Sequence, residues 1–199
     1  MKKDQLHELL YQALETEAGG VQVYETAVQC AVNRDLKEEW QEYLEQTRKH
    51  EQMMRRLLEQ MGLDPAKETP GRQIVRRKGE SLVEAMKLAL KQNNPQAAQL
   101  VAAECVVTAE TKDHQNWELL GQAADKLGGA EGTAIKEAYD QVEDQEDEHL
   151  YHTMGWSREL WMESLGLPAV LPPPEEEQDV KTAEDAAHAK ASRKEMVGR

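Results

Sequence analysis

Two stretches of this chain carry the same inward pattern, with polar residues recurring at matched places inside it. Side chains repeat at alternating steps of three and four, the spacing that lines one face of a helix. The first stripe reads Leu36, Trp40, Tyr43, Thr47, His50, Met54, Leu57 and Met61, and the second Ile135, Tyr139, Val142, Glu146, His149, Thr153, Trp156 and Leu160. Each member of the second lies 99 positions beyond its counterpart, as His149 lies beyond His50. Another pair of stripes matches at an offset of 93, as Glu110 lies beyond Glu17: Leu10, Leu14, Glu17, Val21, Tyr24 and Val28 against Ala103, Val107, Glu110, His114, Trp117 and Gly121. Helices with such faces must bury them against one another.

Helix punctuation divides the chain accordingly. Helices are expected at about Asp4 to Val32, Leu36 to Met61, Gln73 to Gln92, Gln96 to Leu127 and Thr133 to Leu165. Gly62 with Pro65 and Pro70, Asn93-Asn94-Pro95, Gly128-Gly129 and Gly166 with Pro168 supply the stops. Two helix pairs are thus joined by a long connection that holds a shorter helix. The 39% hydrophobic content, rich in straight-chain residues and without Phe, agrees with an all-α fold. Residues 1–167 read as one domain. Residues 168–199, beginning Pro-Glu-rich and continuing without an apolar face, read as a disordered acidic tail, or at best a locally helical one.

The net charge of −14 repels phosphate backbones and disfavours nucleic acid as a partner, while an acidic surface suits either solubility or cation attraction. Cys30 and Cys105 lie in different expected helices, too few for a disulfide scaffold or a four-cysteine metal site. No run approaches the roughly 20 apolar residues of a membrane span, and the first residues lack the apolar stretch of a signal peptide. A cytoplasmic setting is the expectation.

A charged side chain buried in an apolar stripe costs several kcal/mol unless it is paired or bound to a metal. Glu17, His50, Glu110, Glu146 and His149 all fall midway along their stripes. Antiparallel neighbours would bring them to one level, and the Glu146-x-x-His149 spacing puts both side chains on one face. This set resembles the di-iron carboxylate site of the ferritin-like superfamily, in which two helices give one Glu each and two give Glu-x-x-His. The resemblance covers about residues 4 to 165. Glu17 followed by Tyr24 is similar to the first helix of rubrerythrin-type proteins. The Gln-Thr-Arg-Lys-His run and the Ala-Ala-Glu…Asp-Lys-Leu-Gly of the next long helix are similar to bacterial stress-associated ferritin-like proteins. The implied fold is an antiparallel four-helix bundle with a long crossover containing an extra helix. The implied cofactor is a pair of iron ions, with manganese as an alternative, and the implied substrate is O₂ or peroxide. A homodimer is implied as well.

Thr47 stands where that pattern has Glu. His114, one turn after Glu110, is a candidate replacement, giving Glu17, His50, Glu110, His114, Glu146 and His149 as six candidate metal ligands. The other reading makes His114 a hydrogen-bonded core histidine. Glu104 rivals Glu110 but lies off the stripe, and Glu143 and His152 flank the Glu146–His149 pair at its edge. Gly19-Gly20 marks either a close helix approach or a kink. Two functions follow as expectations: a metal-dependent oxidoreductase or iron-handling protein, of ferroxidase or peroxidase type, or a metal-poor helical bundle that serves as a structural or partner-binding module. Two cysteines cannot build the separate iron domain of a usual rubrerythrin, and the Pro-Glu tail replaces the fifth helix of cage ferritins.

Overall fold

Helix caps sit where the sequence supplies side chains able to make them. The computed structural model describes residues 1–178 and 180–197, and every regular element among them is a helix. Helix α1 spans Lys3–Cys30 and α2 Arg34–Gln60. Between them Asn33 Oδ1 accepts from the backbone of Asp35 and Leu36, satisfying two of the donors a helix start leaves open. Gln99 Oε1 accepts from the N–H groups of Val32 and Asn33, both at 2.6 Å, and so ties this corner to a later helix. Helix α3 spans Pro70–Leu90 behind a Thr69 cap, and α4 spans Pro95–Leu127 behind an Asn94 cap. Each begins with proline, whose missing N–H is not needed there.

The single helix expected at Thr133 to Leu165 is two. Helix α5 spans Gly129–Tyr139 and α6 Glu143–Ser164. At the break the N–H groups of Gln141 and Val142 bond three residues back, to Ala138 and Tyr139, which tightens one turn. Neither Gly nor Pro marks this turn, so periodicity passes straight through it. Val142 stays fully buried, and the new helix start puts Glu146 in the first turn of α6.

Helix α1 packs against α2, α3 and α4, while α4 also packs against α5 and α6, and α2 against α5 and α6. The apolar interior falls into two clusters. One gathers Tyr24, Leu36, Trp40, Tyr43, Met86, Val106 and Trp156; the other gathers Leu10, Leu14, Met54, Leu58, Trp117, Ile135 and Val142. Close approach explains Gly20, where a Cβ would lie 3.1 Å from Thr47 Cγ2, whereas a Cβ at Gly19 would meet nothing within 4 Å. Among the described residues no helix is long and apolar enough to cross a membrane.

Of the expected tail, 168–199, positions 179, 198 and 199 lie outside the described residues, and the described remainder is locally helical. Helices α7, Pro174–Glu177, and α8, Ala183–Val197, fold back on α6. Glu175 accepts from Arg158 at 2.6 and 2.8 Å, and Arg193 reaches the fully buried Glu159 at 2.6 Å. Gly155 permits this approach, because a Cβ there would stand 2.6 Å from Glu175 Oε2. The tail is held by charged pairs, which a search for apolar periodicity does not register.

Helix α3 is fastened to α1 by a buried ion pair. Glu15 accepts from Arg72 Nε at 2.5 Å and from Arg76 Nε at 2.6 Å. Burial works to raise the Glu15 pKa, but the guanidinium groups of Arg76 and Arg72 outweigh it and hold the carboxyl below its usual value. This contribution is therefore present above the unfolded carboxylate pKa and lost as pH falls through the lower folded value. Glu15→Gln is expected to cost about 3 kcal/mol at pH 7 in denaturant unfolding. The deficit against wild type should shrink on acidification to about pH 3; a deficit equal at both pH values would contradict the ion-pair account.

Candidate metal centre

Six ionisable side chains fill the gap between the two apolar clusters. Glu17 comes from α1, His50 from α2, Glu110 and Asp113 from α4, and Glu146 and His149 from α6; none is more than 4% exposed. Two groups of three emerge, each with ligand atoms within 4.8 Å of one another: Glu17, His50 and Glu146, and Glu110, Glu146 and His149. Glu146 belongs to both. His50 Nδ1 lies 2.8 Å from Glu146 Oε1 and 3.9 Å from Glu17 Oε2. His149 Nδ1 lies 3.6 Å from Glu110 Oε2 and 3.9 Å from Glu146 Oε1.

The outer nitrogen of each imidazole is fixed by an amide. His50 Nε2 bonds Gln145 Oε1 at 2.7 Å, and His149 Nε2 bonds Gln46 Oε1 at 2.6 Å. A carbonyl oxygen accepts, so each Nε2 donates outward and each Nδ1 faces the carboxylates of the layer. Metal-ligating histidines are commonly oriented in this way. Apart from the 2.8 Å contact of His50 Nδ1 with Glu146 Oε1, the inward atoms lack hydrogen-bond partners among the described residues: Glu17 Oε2, Glu110 Oε2, Asp113 Oδ1, Glu146 Oε2 and His149 Nδ1 are all buried and unsatisfied. Such groups are rare in a native interior, and several converging on one point mark a place for a ligand.

Burial, with Asp113 and Glu146 nearby, pushes the Glu17 pKa well above the ordinary carboxylate range against the opposing hydrogen bond from Trp117. Asp113 is likewise raised well above its usual value, by burial and then by Glu146 and Glu110. Burial works to lower the His149 pKa, but Glu110 and Glu146 outweigh it and leave the imidazole above its normal value. Trp117 Nε1 donates to Glu17 Oε1 at 2.7 Å, holding that carboxylate in the layer.

Five of the six residues expected from the sequence meet in the layer, and His114 does not. Its Nε2 lies 2.7 Å from Asp147 Oδ1 at the rim, with the side chain 23% exposed, and that carboxylate raises its pKa. Ala103, Glu110, Trp117 and Gly121 of the expected stripe are buried, but at its other two places the inward residue is the one before, Val106 and Asp113. The buried face of α4 passes through Val106, Glu110, Asp113, Trp117 and Leu120, which leaves Val107 and His114 half-buried. Asp113 is the residue that sequence reasoning missed, although its spacing of three from Glu110 was there to be read. Thr47 donates its hydroxyl to Tyr43 O at 2.8 Å and offers nothing to the layer. Glu104 and Glu143 are exposed, whereas His152, expected at the edge, is buried.

A cavity of about 220 Å³ lies beside the layer. His114, Asp147 and Tyr151 line it together with Trp117 and Glu146. The cavity thus reaches the wall formed by Glu146 beside the His114–Asp147 pair.

Raised carboxyl pKa values give the metal-free protein a defined pH dependence. A group whose folded pKa is raised contributes stability below its unfolded pKa and loses it as pH rises through the folded value. The melting temperature of chelator-treated protein should therefore fall between about pH 5 and pH 8. Asp113→Asn should flatten this fall and stabilise the metal-free protein by about 2 kcal/mol at pH 8; an unchanged slope would mean that Asp113 is already ionised in the fold. Comparison with protein-family models, with curated proteins and with solved structures finds no match to this chain, so its chemistry is argued from the layer itself.

Proposed function

We propose that the polar layer is a two-cation carboxylate–imidazole centre in an antiparallel four-helix bundle of ferritin-like type, with iron as its metal and manganese as the alternative. The observation that carries this reading is the pair of three-ligand groups meeting at Glu146, with buried inward carboxylate oxygens that have no hydrogen-bond partner among the described residues. Charge supports two ions rather than one. Glu17, Glu110, Asp113 and Glu146 carry four negative charges when ionised, facing two imidazoles, and two divalent cations neutralise them. Carboxylate oxygen with imidazole nitrogen suits Fe(II) and Mn(II).

In this reading Glu17 and His50 hold one ion, Glu110 and His149 hold the other, and Glu146 lies between them. Paired iron ions supply two-electron chemistry toward O₂ or peroxide, and the protein acts as a ferroxidase or peroxidase. Gln145 and Gln46 keep the two imidazoles presenting Nδ1, and Trp117 keeps Glu17 turned inward. The apolar clusters on either side exclude water, which strengthens each electrostatic contact in the layer. Burial and neighbouring carboxylates favour the protonated forms of Glu17 and Asp113, so cation entry would be coupled to proton release.

Thr47 favours a second reading. Its hydroxyl is spent on Tyr43 O, one expected carboxylate is missing, and protons held by Glu17 and Asp113 would neutralise much of the layer without metal. The chain would then be a helical bundle with a polar seam and a structural or partner-binding role. Metal analysis of protein from iron-supplemented cells separates the two. About two equivalents per chain are expected in wild type, with aerobic Fe(II) oxidation above the background rate. His50→Ala with His149→Ala should lose both properties, and Gln145→Ala should bind metal about 10- to 100-fold more weakly. Substoichiometric metal that does not respond to these changes would leave only the second reading.

A further inference from the structure

A third group of potential ligands lies outside the central layer, where the C-terminal segment meets the helices. Glu39 of α2, His152 of α6 and Glu176 of α7 each place one ligand atom within 4.8 Å of the others. Trp156 Nε1 donates to Glu39 Oε2 at 2.5 Å and to Glu176 Oε1, so one N–H serves two carboxylates. The remaining oxygen, Glu39 Oε1, is buried, has no hydrogen-bond partner and lies 4.0 Å from His152 Nδ1 on a side chain only 10% exposed. Two carboxylates facing each other across a shared indole N–H, with the Tyr43 hydroxyl also close to Glu39, repel each other unless a proton or a cation lies between them.

We propose that Glu39, His152 and Glu176 form a second cation site, which takes one divalent transition-metal ion and fastens the C-terminal segment to the helices. Two carboxylate oxygens and one imidazole nitrogen suit Zn(II), Mn(II) or Fe(II), with water completing the coordination. Glu176 is brought to the site by a docked backbone. The neighbouring Glu175 is clamped by Arg158, and Gly155 gives α7 room to lie close to α6. Two of the three ligands come from the helices and the third from the tail, so occupancy and tail docking are one equilibrium. Tyr43 links this site to the central layer: its hydroxyl lies 3.1 Å from His152 Nδ1, and its ring centroid lies 4.2 Å from that of His149.

The test uses the full chain and Zn(II), which is inert to oxidation. Calorimetric titration should find about one equivalent more in wild type than in Glu176→Gln, whose change falls on the tail and spares the core. Trypsin cleavage at Lys181 and Lys190 should slow about 10-fold when Zn(II) stands tenfold above its dissociation constant. Glu176→Gln should abolish that protection, and His50→Ala should keep it, because His50 belongs to the central layer alone. A central layer that binds no metal would leave the single Glu176-dependent equivalent intact, so the two proposals fail separately. Equal Zn(II) stoichiometry in wild type and Glu176→Gln, or tail protection lost in His50→Ala, would overturn the second site. A higher melting temperature in Glu176→Gln without any metal effect would overturn it too, by assigning the Glu39–Glu176 contact to a shared proton.

Discussion

Burial of a carboxylate–imidazole layer between two apolar clusters is the constraint on which this structure turns. Four acidic groups packed together away from water cost many kcal/mol if all are ionised and uncompensated. The fold meets part of that cost through Trp117 at Glu17 and through the glutamines behind each histidine. Raised Glu17 and Asp113 pKa values meet another part by letting those groups hold protons. Except for the His50–Glu146 contact, the inward atoms remain without hydrogen-bond partners among the described residues. A structural seam would be expected to satisfy itself internally, whereas a binding site leaves its inner atoms open for a ligand.

The internal repeat is nearly symmetric, and its exceptions define the layer's shape. Gly20 and Asp113 are counterparts at the offset of 93, as Thr47 and Glu146 are at 99. In one half a glycine faces a threonine across a close helix approach. In the other half the same two places carry an aspartate and the shared glutamate. The carboxylate absent at Thr47 thus has a counterpart across the layer at Asp113, on the side of α4 and α6. The tightened turn before α6 adds to the asymmetry, since it places Glu146 near a helix N-terminus, where backbone N–H groups favour negative charge.

The C-terminal segment shows how charged pairs can order a stretch that lacks an apolar face. Glu159 gathers Arg158, Arg193 and the backbone N–H of Val170, and Glu175 takes both arms of Arg158. Bidentate pairs of this kind fix orientation as well as contact. Once docked, the segment supplies Glu176 beside Glu39 and His152, and thereby brings an acidic tail residue within reach of the bundle interior.

Fold class and the level of the site were legible in sequence because both follow from helical periodicity. Stripes at steps of three and four identified the core faces, and Gly, Pro and Asn marked most helix ends. Glu17, His50, Glu110, Glu146 and His149 could be chosen because a polar residue in an apolar stripe needs a reason to be there. Periodicity could not resolve one residue of helix phase: steps of three and four fit Asp113 and His114 equally well, and only packing against α1 and α6 turned Asp113 inward and left His114 to Asp147. It could not find the break at Gln141, which no helix breaker signals, nor the docking of residues 168–197, which depends on partners far away in the chain. The sequence by itself determined that helices would bury a layer of carboxylates and imidazoles. Tertiary contacts decided which acids reach that layer and that the tail closes beside it, because helix phase and charge pairing are settled only when the elements meet.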